Sequence, residues 1–215
     1  MIVAGIDCSI NGTGVYKFTL DSNMNVIDKD YLGFTKTIKE GKNNILCYKK
    51  IIFRNYLEKN SWMYDKIFNF IADAEYVAIE DYAFGAKGRV FDIAEFTGCL
   101  KLKIVDRGIP LRLYSIGTIK MYATTKGDAD KVAMQTAFLK EPNIPDLSFL
   151  PDASKKSPRQ DIHDAYFITK LLTLELSLRN GTKLMNQLPA DEIKIFNKVS
   201  KSSPINILAQ DFLTK

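Results

Sequence analysis

Apolar and β-branched residues fill Met1–Asp7 and return in Thr13–Leu20 and Asn25–Phe34. Short runs of this kind, bounded by turn residues, predict three strands. Asp21-Ser22-Asn23 supplies the turn between the second and third, and Gly12-Thr13-Gly14 a tight return before the second. From about Asn43 to Ala74 the period changes. Ile45, Tyr48, Ile52 and Tyr56, then Ile67, Phe70 and Ile71, recur at near-helical spacing. A long amphipathic stretch is expected there, broken near Asn60-Ser61, where Ser61 would cap a second helix. Tyr76–Glu80 is a fourth strand. Gly88–Asp106 turns helical, with Val90, Ile93, Ala94, Thr97 and Ile104 on one side and Gly108 and Pro110 ending it. Leu111–Ser115 is a fifth strand and Lys126–Leu139 a helix. Glu141–Pro158 is a polar, Pro-rich connection. Arg159–Leu178 is a further helix, and a tail follows Asn180-Gly181, with a short helix over Asp191–Val199.

The order β-β-β-α-β-α-β-α-α, with a further short helix in the tail, defines an α/β protein. Three meander strands followed by alternating units imply a mixed five-stranded sheet with helices on both faces. Residues 1–180 form the core domain and 181–215 an extension. No internal repeat or low-complexity run interrupts the pattern.

Composition narrows the chemistry. The chain has 215 residues, 46% hydrophobic and 26% charged, which suits one domain better than two. No apolar run approaches the length of a membrane span, and MIVAGIDCSI lacks the basic start of a signal peptide, so no membrane partner and a cytoplasmic setting are expected. Cys8, Cys47 and Cys99 are odd in number and far apart, which argues against a disulfide framework or a thiolate zinc site. His163 is the only histidine. A metal would therefore be held by carboxylates, which favours Mg²⁺ or Mn²⁺. The net charge of +5 suits a polyanionic partner.

Four acids stand out by position. Asp7 closes the first strand and Glu80 the fourth, while Asp161 and Asp164 open the last core helix, three residues apart on one face. Taken singly, each has a plainer role as a turn, cap or dipole-complementing residue. Together they lie at the element ends where open α/β folds build sites. Two divalent cations about 3.5–4 Å apart would relieve their repulsion and serve phosphodiester hydrolysis.

At this point the chain resembles the RuvC-like Holliday junction resolvases of the RNase H-like superfamily. GIDCSINGTGV (5–15) resembles the first-strand motif GIDPGxxxTG, and AIEDYAFG (78–85) matches the strand with the family's glutamate. IKMYATTKGDADK (119–131) resembles the lysine-bearing stretch, and DIHDAYFI (161–168) the closing DxxDA motif. The segments run in order across residues 1 to about 175. The resemblance implies an RNase H-like fold and a hydrolase that resolves four-way junctions by paired symmetric nicks. It implies two Mg²⁺ ions, with Mn²⁺ as substitute, and no small-molecule cofactor. Asp7, Glu80, Asp161 and Asp164 would be the metal-binding catalytic acids. Lys120 and Lys131, eleven residues apart, would hold the scissile phosphate. Cys8-Ser9 departs from the family's Pro-Gly, and the Glu141–Pro158 connection and the tail are longer than expected, which points to a divergent, virus-encoded branch acting in the host cytoplasm.

Residues 101–131 hold seven Lys or Arg against three Asp, a surface for phosphates. Tyr82, Phe84, Lys87 and Arg89 in the loop after Glu80, with Lys120, Lys126 and Lys131, are the DNA-binding candidates. Tyr82 or Phe84 would stack on an unpaired base at the branch point or pack against the sheet. A homodimer through the Gly88–Asp106 helix, using Phe91, Ala94, Glu95, Gly98 and Leu102, would set two sites across a symmetric junction. His163 falls between the two helix acids and points away from Asp161, as a packed or surface residue. The tail would pack on the core or contact DNA. Two readings compete: a general nuclease of forks, flaps and three-way junctions from the same superfamily, and a non-catalytic nucleic-acid-binding domain. An actin-like phosphotransferase would need two such domains, which the chain is too short to supply.

Overall fold

A computed structural model describes residues 1–36, 44–82, 90–150, 158–202 and 211–214. Its six strands are β1 (Ile2–Asp7), β2 (Gly14–Leu20), β3 (Val26–Thr35), β4 (Ile45–Cys47), β5 (Tyr76–Glu80) and β6 (Leu111–Tyr114). They form one sheet in the order β4-β3-β2-β1-β5-β6. β1, β2 and β3 pair antiparallel as a meander. β4 joins β3 in parallel, and β1, β5 and β6 run parallel. The helices are α1 (Tyr56–Phe70), α2 (Val90–Asp106), α3 (Ile116–Thr124), α4 (Lys131–Phe138), α5 (Pro158–Arg179) and α6 (Ala190–Ser202).

Strand alternation sorts side chains between two cores. On β1, Ala4 and Ile6 join the core that holds Met63, Ile67, Phe96 and Leu100 of α1 and α2. Val3 joins the opposite core, with Met134 of α4 and Ile162, Ala165 and Ile168 of α5. On β5, Val77 and Ile79 face α1 and α2, whereas Ala78 faces α5. By the same period Asp7 and Glu80 fall on the α5 face. Ile6 pairs with Ile79, so the next residues, Asp7 and Glu80, leave the two strand ends side by side.

The expected α/β architecture with helices on both faces is present, with six strands in place of five. The extra one arises where a helical stretch was expected from Asn43. Ile45–Cys47 pairs with the far end of the ten-residue β3, Phe34 opposite Leu46. A three-residue run has no resolvable period, and only the open edge of β3 makes it a strand. The helix starts at Tyr56, where the Asn55 side chain accepts a hydrogen bond from the Glu58 nitrogen at 3.0 Å, and it passes Asn60-Ser61 without a break. A second difference lies between Leu111 and Leu139. Ser115 caps α3, which ends at Thr125 in a left-handed conformation (φ 65°), and Asp130 caps α4 at Lys131, five residues beyond the expected start at Lys126.

Glycine sets how closely α5 meets the sheet. A Cβ on Gly14 would collide with the Asp161 carbonyl and lie 2.6 Å from the Ile162 nitrogen. One on Gly5 would lie 2.6 Å from the Thr169 nitrogen. Gly14 pairs with Asp7 on one side and Gly33 on the other, so the first turn of α5 rests on a glycine floor beside Asp7. Thr169 Oγ1 donates to the Tyr16 carbonyl at 3.1 Å, across that contact.

At the far end of α5, Glu175 is fully buried between two arginines. Arg112 Nε lies 3.0 Å from Oε2, Tyr114 OH donates to Oε2 at 2.7 Å, and Arg179 Nε donates to Oε1 at 2.9 Å. The tail reaches this corner: Leu213 bridges to Leu111 on the β6 edge, and the Phe212 ring lies 5.2 Å from that of Tyr76.

Two outcomes follow from these contacts. Gly14→Ala should destabilise the fold by about 1–3 kcal/mol through overpacking, while Gly117→Ala, which meets nothing closer than 3.7 Å, should be neutral or stabilising. Urea unfolding of the two variants measures the difference. Glu175→Ala leaves the buried Arg112 charge without its carboxylate and should cost about 3–5 kcal/mol, seen in the same unfolding assay.

Candidate active site

The site forms at the carboxyl ends of β1 and β5, where the start of α5 crosses them. Asp7 leaves β1 into a loop that holds itself in shape. Thr13 Oγ1 donates to the Ser9 carbonyl at 2.6 Å, the Ser9 nitrogen donates back to Thr13 Oγ1 at 3.2 Å, and the Gly12 nitrogen donates to Ser9 Oγ at 3.2 Å. This tight loop brings Gly12 against Asp161 Oδ2, at the position a Cβ would occupy. The Gly12-Thr13-Gly14 return therefore positions two of the four acids.

The four carboxylates act on one another. Burial pushes Asp7 well above the usual carboxylate range, and the charges of Glu80, Asp161 and Asp164 push it further. Asp161 is raised well above its ordinary value by burial and then by Asp164. Glu80 is raised to about 7, again by burial first and by Asp164 next. Asp164 is raised to about 6 by burial, which outweighs its hydrogen bonds from Gln160 and the nearby lysines. Asp7 shares hydrogen bonds with Asp161 and Glu80, and these lower both partners against the rise that burial causes. Buried like charges this close ionise together only at a cost.

Both expected lysines meet the cluster. Lys120 of α3 lowers Glu80 and Asp164, and Lys131 in the first turn of α4 lowers Asp161 and Asp164. Lys126, between the two helices, is exposed. Tyr82 is 39% exposed and lies under Lys101, whose Nζ sits 3.9 Å from the ring centroid and 3.1 Å from Asp81 Oδ1. It is tied by that cation rather than sealed in a core. Phe84, Lys87 and Arg89 lie outside the described residues. His163 is buried and stacked on Phe138 at 4.2 Å, and burial depresses it to about 4. It is the packed, neutral histidine of the two alternatives.

Residues that pattern reading passed over also shape the site. Gln160 Nε2 donates to both Asp164 oxygens at 3.2 Å. The i, i+4 spacing of Gln160 and Asp164 was the available signal. Asp81 and Lys101 form a part-buried pair beside Glu80, too far apart in sequence to leave one. Cys8, where the resemblance expects proline, is half-buried and its thiol is pushed up by desolvation, so it stays neutral beside Asp7.

Four hard oxygen donors, desolvated and mutually repelling, fit the chemistry of a divalent cation such as Mg²⁺. Among the described residues, no three acidic, histidine or cysteine side chains already converge closely enough to ligate one ion. The match is thus in donor type and charge.

With fold and site in view, the chain can be set against known proteins. No protein-family model matches it, and no curated protein matches it. Among solved structures, its architecture is that of the RNase H-like α/β class. More particularly, it shares the fold of RuvC from Thermus thermophilus. The RuvC complex with a Holliday junction substrate matches with a TM-score of 0.52 at 18% identity, over 85% of this chain and 97% of that one. A second T. thermophilus RuvC structure matches with the same TM-score and identity, over 98% of its chain. Among the described residues no helix is long and apolar enough to cross a membrane.

The raised carboxylates set a sign for pH dependence. Below their ordinary values of 4.5 and 3.8, Glu80 and Asp164 are protonated whether folded or not, and no penalty exists. As pH climbs to about 7 and about 6, the unfolded chain ionises first, and stability is lost. In EDTA the Tm should fall across that window. Asp7→Asn should flatten the fall, and Mg²⁺ at pH 8 should raise the wild-type Tm. A thermal melt series from pH 4 to 8 measures all three; a metal-free Tm that rises through the window would contradict the electrostatic account.

Proposed function

We propose that this protein is a divalent-metal-dependent endonuclease that resolves four-way DNA junctions by paired symmetric nicks, acting as a homodimer. The observation that carries the reading is the gathering of Asp7, Glu80, Asp161 and Asp164 with Lys120 and Lys131 at one end of a RuvC-like sheet. Those six residues come from five separate elements, and a purely structural role gives no reason for gathering four desolvated acids.

In this reading Asp7, Glu80, Asp161 and Asp164 hold two Mg²⁺ ions, for which Mn²⁺ can substitute. When bound, the ions supply activation of water and stabilisation of the leaving oxygen. Gln160 orients Asp164. Lys131 and Lys120 hold the scissile phosphate and offset the charge it gains. Tyr82, Phe84, Lys87, Arg89 and Lys126 contact the DNA beyond it, and the phosphate contacts give affinity that falls steeply with salt. α2 supports the dimer: Phe91 is 88% exposed and Leu102 62% exposed on the outer face of that helix, beside Gly98 and Cys99. An exposed apolar stripe of this kind fits a second copy of the same helix. Residues 1–180 are the nuclease domain. The extension from 181 seals the β6 edge through Leu213.

Matched four-way junction, three-way fork, flap and linear duplex substrates, with Mg²⁺ and then Mn²⁺, test the reading. Symmetric nicks on the four-way junction should fall at least about a hundredfold in Asp7→Asn, with binding retained, and by a similar factor in Lys131→Ala. Equal cutting of forks and flaps would make the protein a general branched-DNA nuclease. No cutting by the wild type on any substrate would overturn the catalytic reading.

A further inference from the structure

On the other flank of Asp7 from the two lysines lies a cleft of about 410 Å³. Its walls are the β1–β2 loop at Ile10-Asn11, the segment from Ile51 to Asn55 and the first turns of α1. We propose that this cleft receives an unstacked base of the bound DNA strand, and that Asn60 and Tyr56 read it. The proposal deepens the nuclease reading and rests on it for the source of the strand.

Three independent features point to a base. The first is position. Ile10 is three residues from Asp7, so their Cα atoms are at most about 11 Å apart. Stacked nucleotides advance about 3.4 Å each along a strand, so the cleft lies within about three nucleotides of a phosphate held at Asp7. The loop is pinned from both sides. Tyr48 OH donates to the Asn11 carbonyl at 3.0 Å, and Lys59 Nζ donates to the Ile10 carbonyl. The loop that walls the cleft is therefore held in place a few residues beyond Asp7.

The second feature is the lining. Phe53 and Tyr56 offer aromatic rings, and Tyr56 is 54% exposed. Aromatic faces hold splayed bases without regard to sequence. Lys36 and Lys59 line the same cleft against Asp92, and Lys49, Lys50 and Arg54 are exposed on the adjoining segment. That distribution suits a strand whose phosphates stay on the rim while a base turns in.

The third is an acceptor without a donor. Asn60 is 5% exposed and lines the cleft, and its Oδ1 has no hydrogen-bond partner. The neighbouring amides are used locally: Asn55 caps α1, and Asn11 accepts from Tyr48. A ligand that satisfies Asn60 must bring an N–H or O–H donor. Every unpaired base offers one: adenine, cytosine and guanine an exocyclic amine, thymine its ring N3–H. The cleft therefore suits a splayed base at one fixed position beside the cut.

The test uses 2-aminopurine, a fluorescent base that brightens on unstacking. It is placed in turn at each position flanking the cut site of a four-way junction, and separately in a short single-stranded oligonucleotide, with Ca²⁺ in place of Mg²⁺. Wild-type protein should brighten one junction position and not its neighbours. Tyr56→Ala and Asn60→Leu should abolish that signal and weaken oligonucleotide binding about fivefold or more, the scale of one lost base–aromatic stack. Thermal melts show whether the variants are folded; Tyr56→Ala removes an exposed ring and keeps the core intact. Replacing the responsive nucleotide by an abasic site should slow cutting in the wild type and make little difference in Asn60→Leu.

If the wild type cuts junctions while no position brightens and both variants bind the oligonucleotide normally, the base subsite is wrong and the nuclease reading stands. If no branched DNA is bound or cut, yet the oligonucleotide binds in a variant-sensitive way, the subsite stands and the nuclease reading falls. Failure to bind either DNA, as when a second copy of the chain covers the cleft, overturns both.

Discussion

The contact on which the site depends is the seating of α5 on a sheet surface stripped of side chains. Gly5 and Gly14 let the helix backbone approach β1 and β2 to a separation that no Cβ would permit. That approach carries Asp161 and Asp164 down to the ends of β1 and β5, where strand alternation has already turned Asp7 and Glu80 toward the same face. A helix held even one side-chain layer higher would leave two separate acid pairs, each hydrated and unremarkable in its chemistry. Close packing therefore creates the electrostatic problem that defines the site.

That problem is a concentration of negative charge in a place poor in water. Burial is the leading cause of the upward shift at all four acids, and their mutual repulsion adds to it at most of them. Lys120 and Lys131 relieve only part of it. A site left short of positive charge is poised for cations. At the opposite end of α5 the same kind of burden is handled differently. Glu175 is buried between Arg112 and Arg179, with Tyr114 donating to it. Its charge is compensated within the chain, so that corner serves as a fixed anchor for the helix. One helix thus carries a charge-compensated buried acid at its end and only partly compensated ones at its start, a difference between structure and chemistry.

The cleft flanked by Asn11 and Asn60 extends the polar surface beyond the acids on the side away from the lysines. Its loop is the same Ser9–Thr13 turn that presses Gly12 against Asp161. Changes in that turn would be felt both at the acids and at the cleft, which couples the geometry of the acid site to whatever occupies the cleft.

Much of this was legible from the order of residues. The alternation in Ile2–Asp7 and Tyr76–Glu80, and the i, i+3 pair Asp161 and Asp164, already point four acids toward one edge, because strand and helix periods are local properties. Lys120 and Lys131 follow from the resemblance of residues 119–131 to a family's lysine-bearing stretch. What the sequence could not decide were features that exist only between distant segments. Ile45–Cys47 becomes a strand because β3 has an open edge, and no period can declare itself in three residues. The split of the 116–139 stretch into α3 and α4 depends on a left-handed turn at Thr125 and a cap at Asp130, whose propensities are weak beside the packing of both helices on α5. The burial that raises the acids, the pairing of Gln160 with Asp164, and the cleft walled by Asn60 are likewise products of tertiary approach. Local periods determine which way a side chain faces; only the packed fold determines what it meets there.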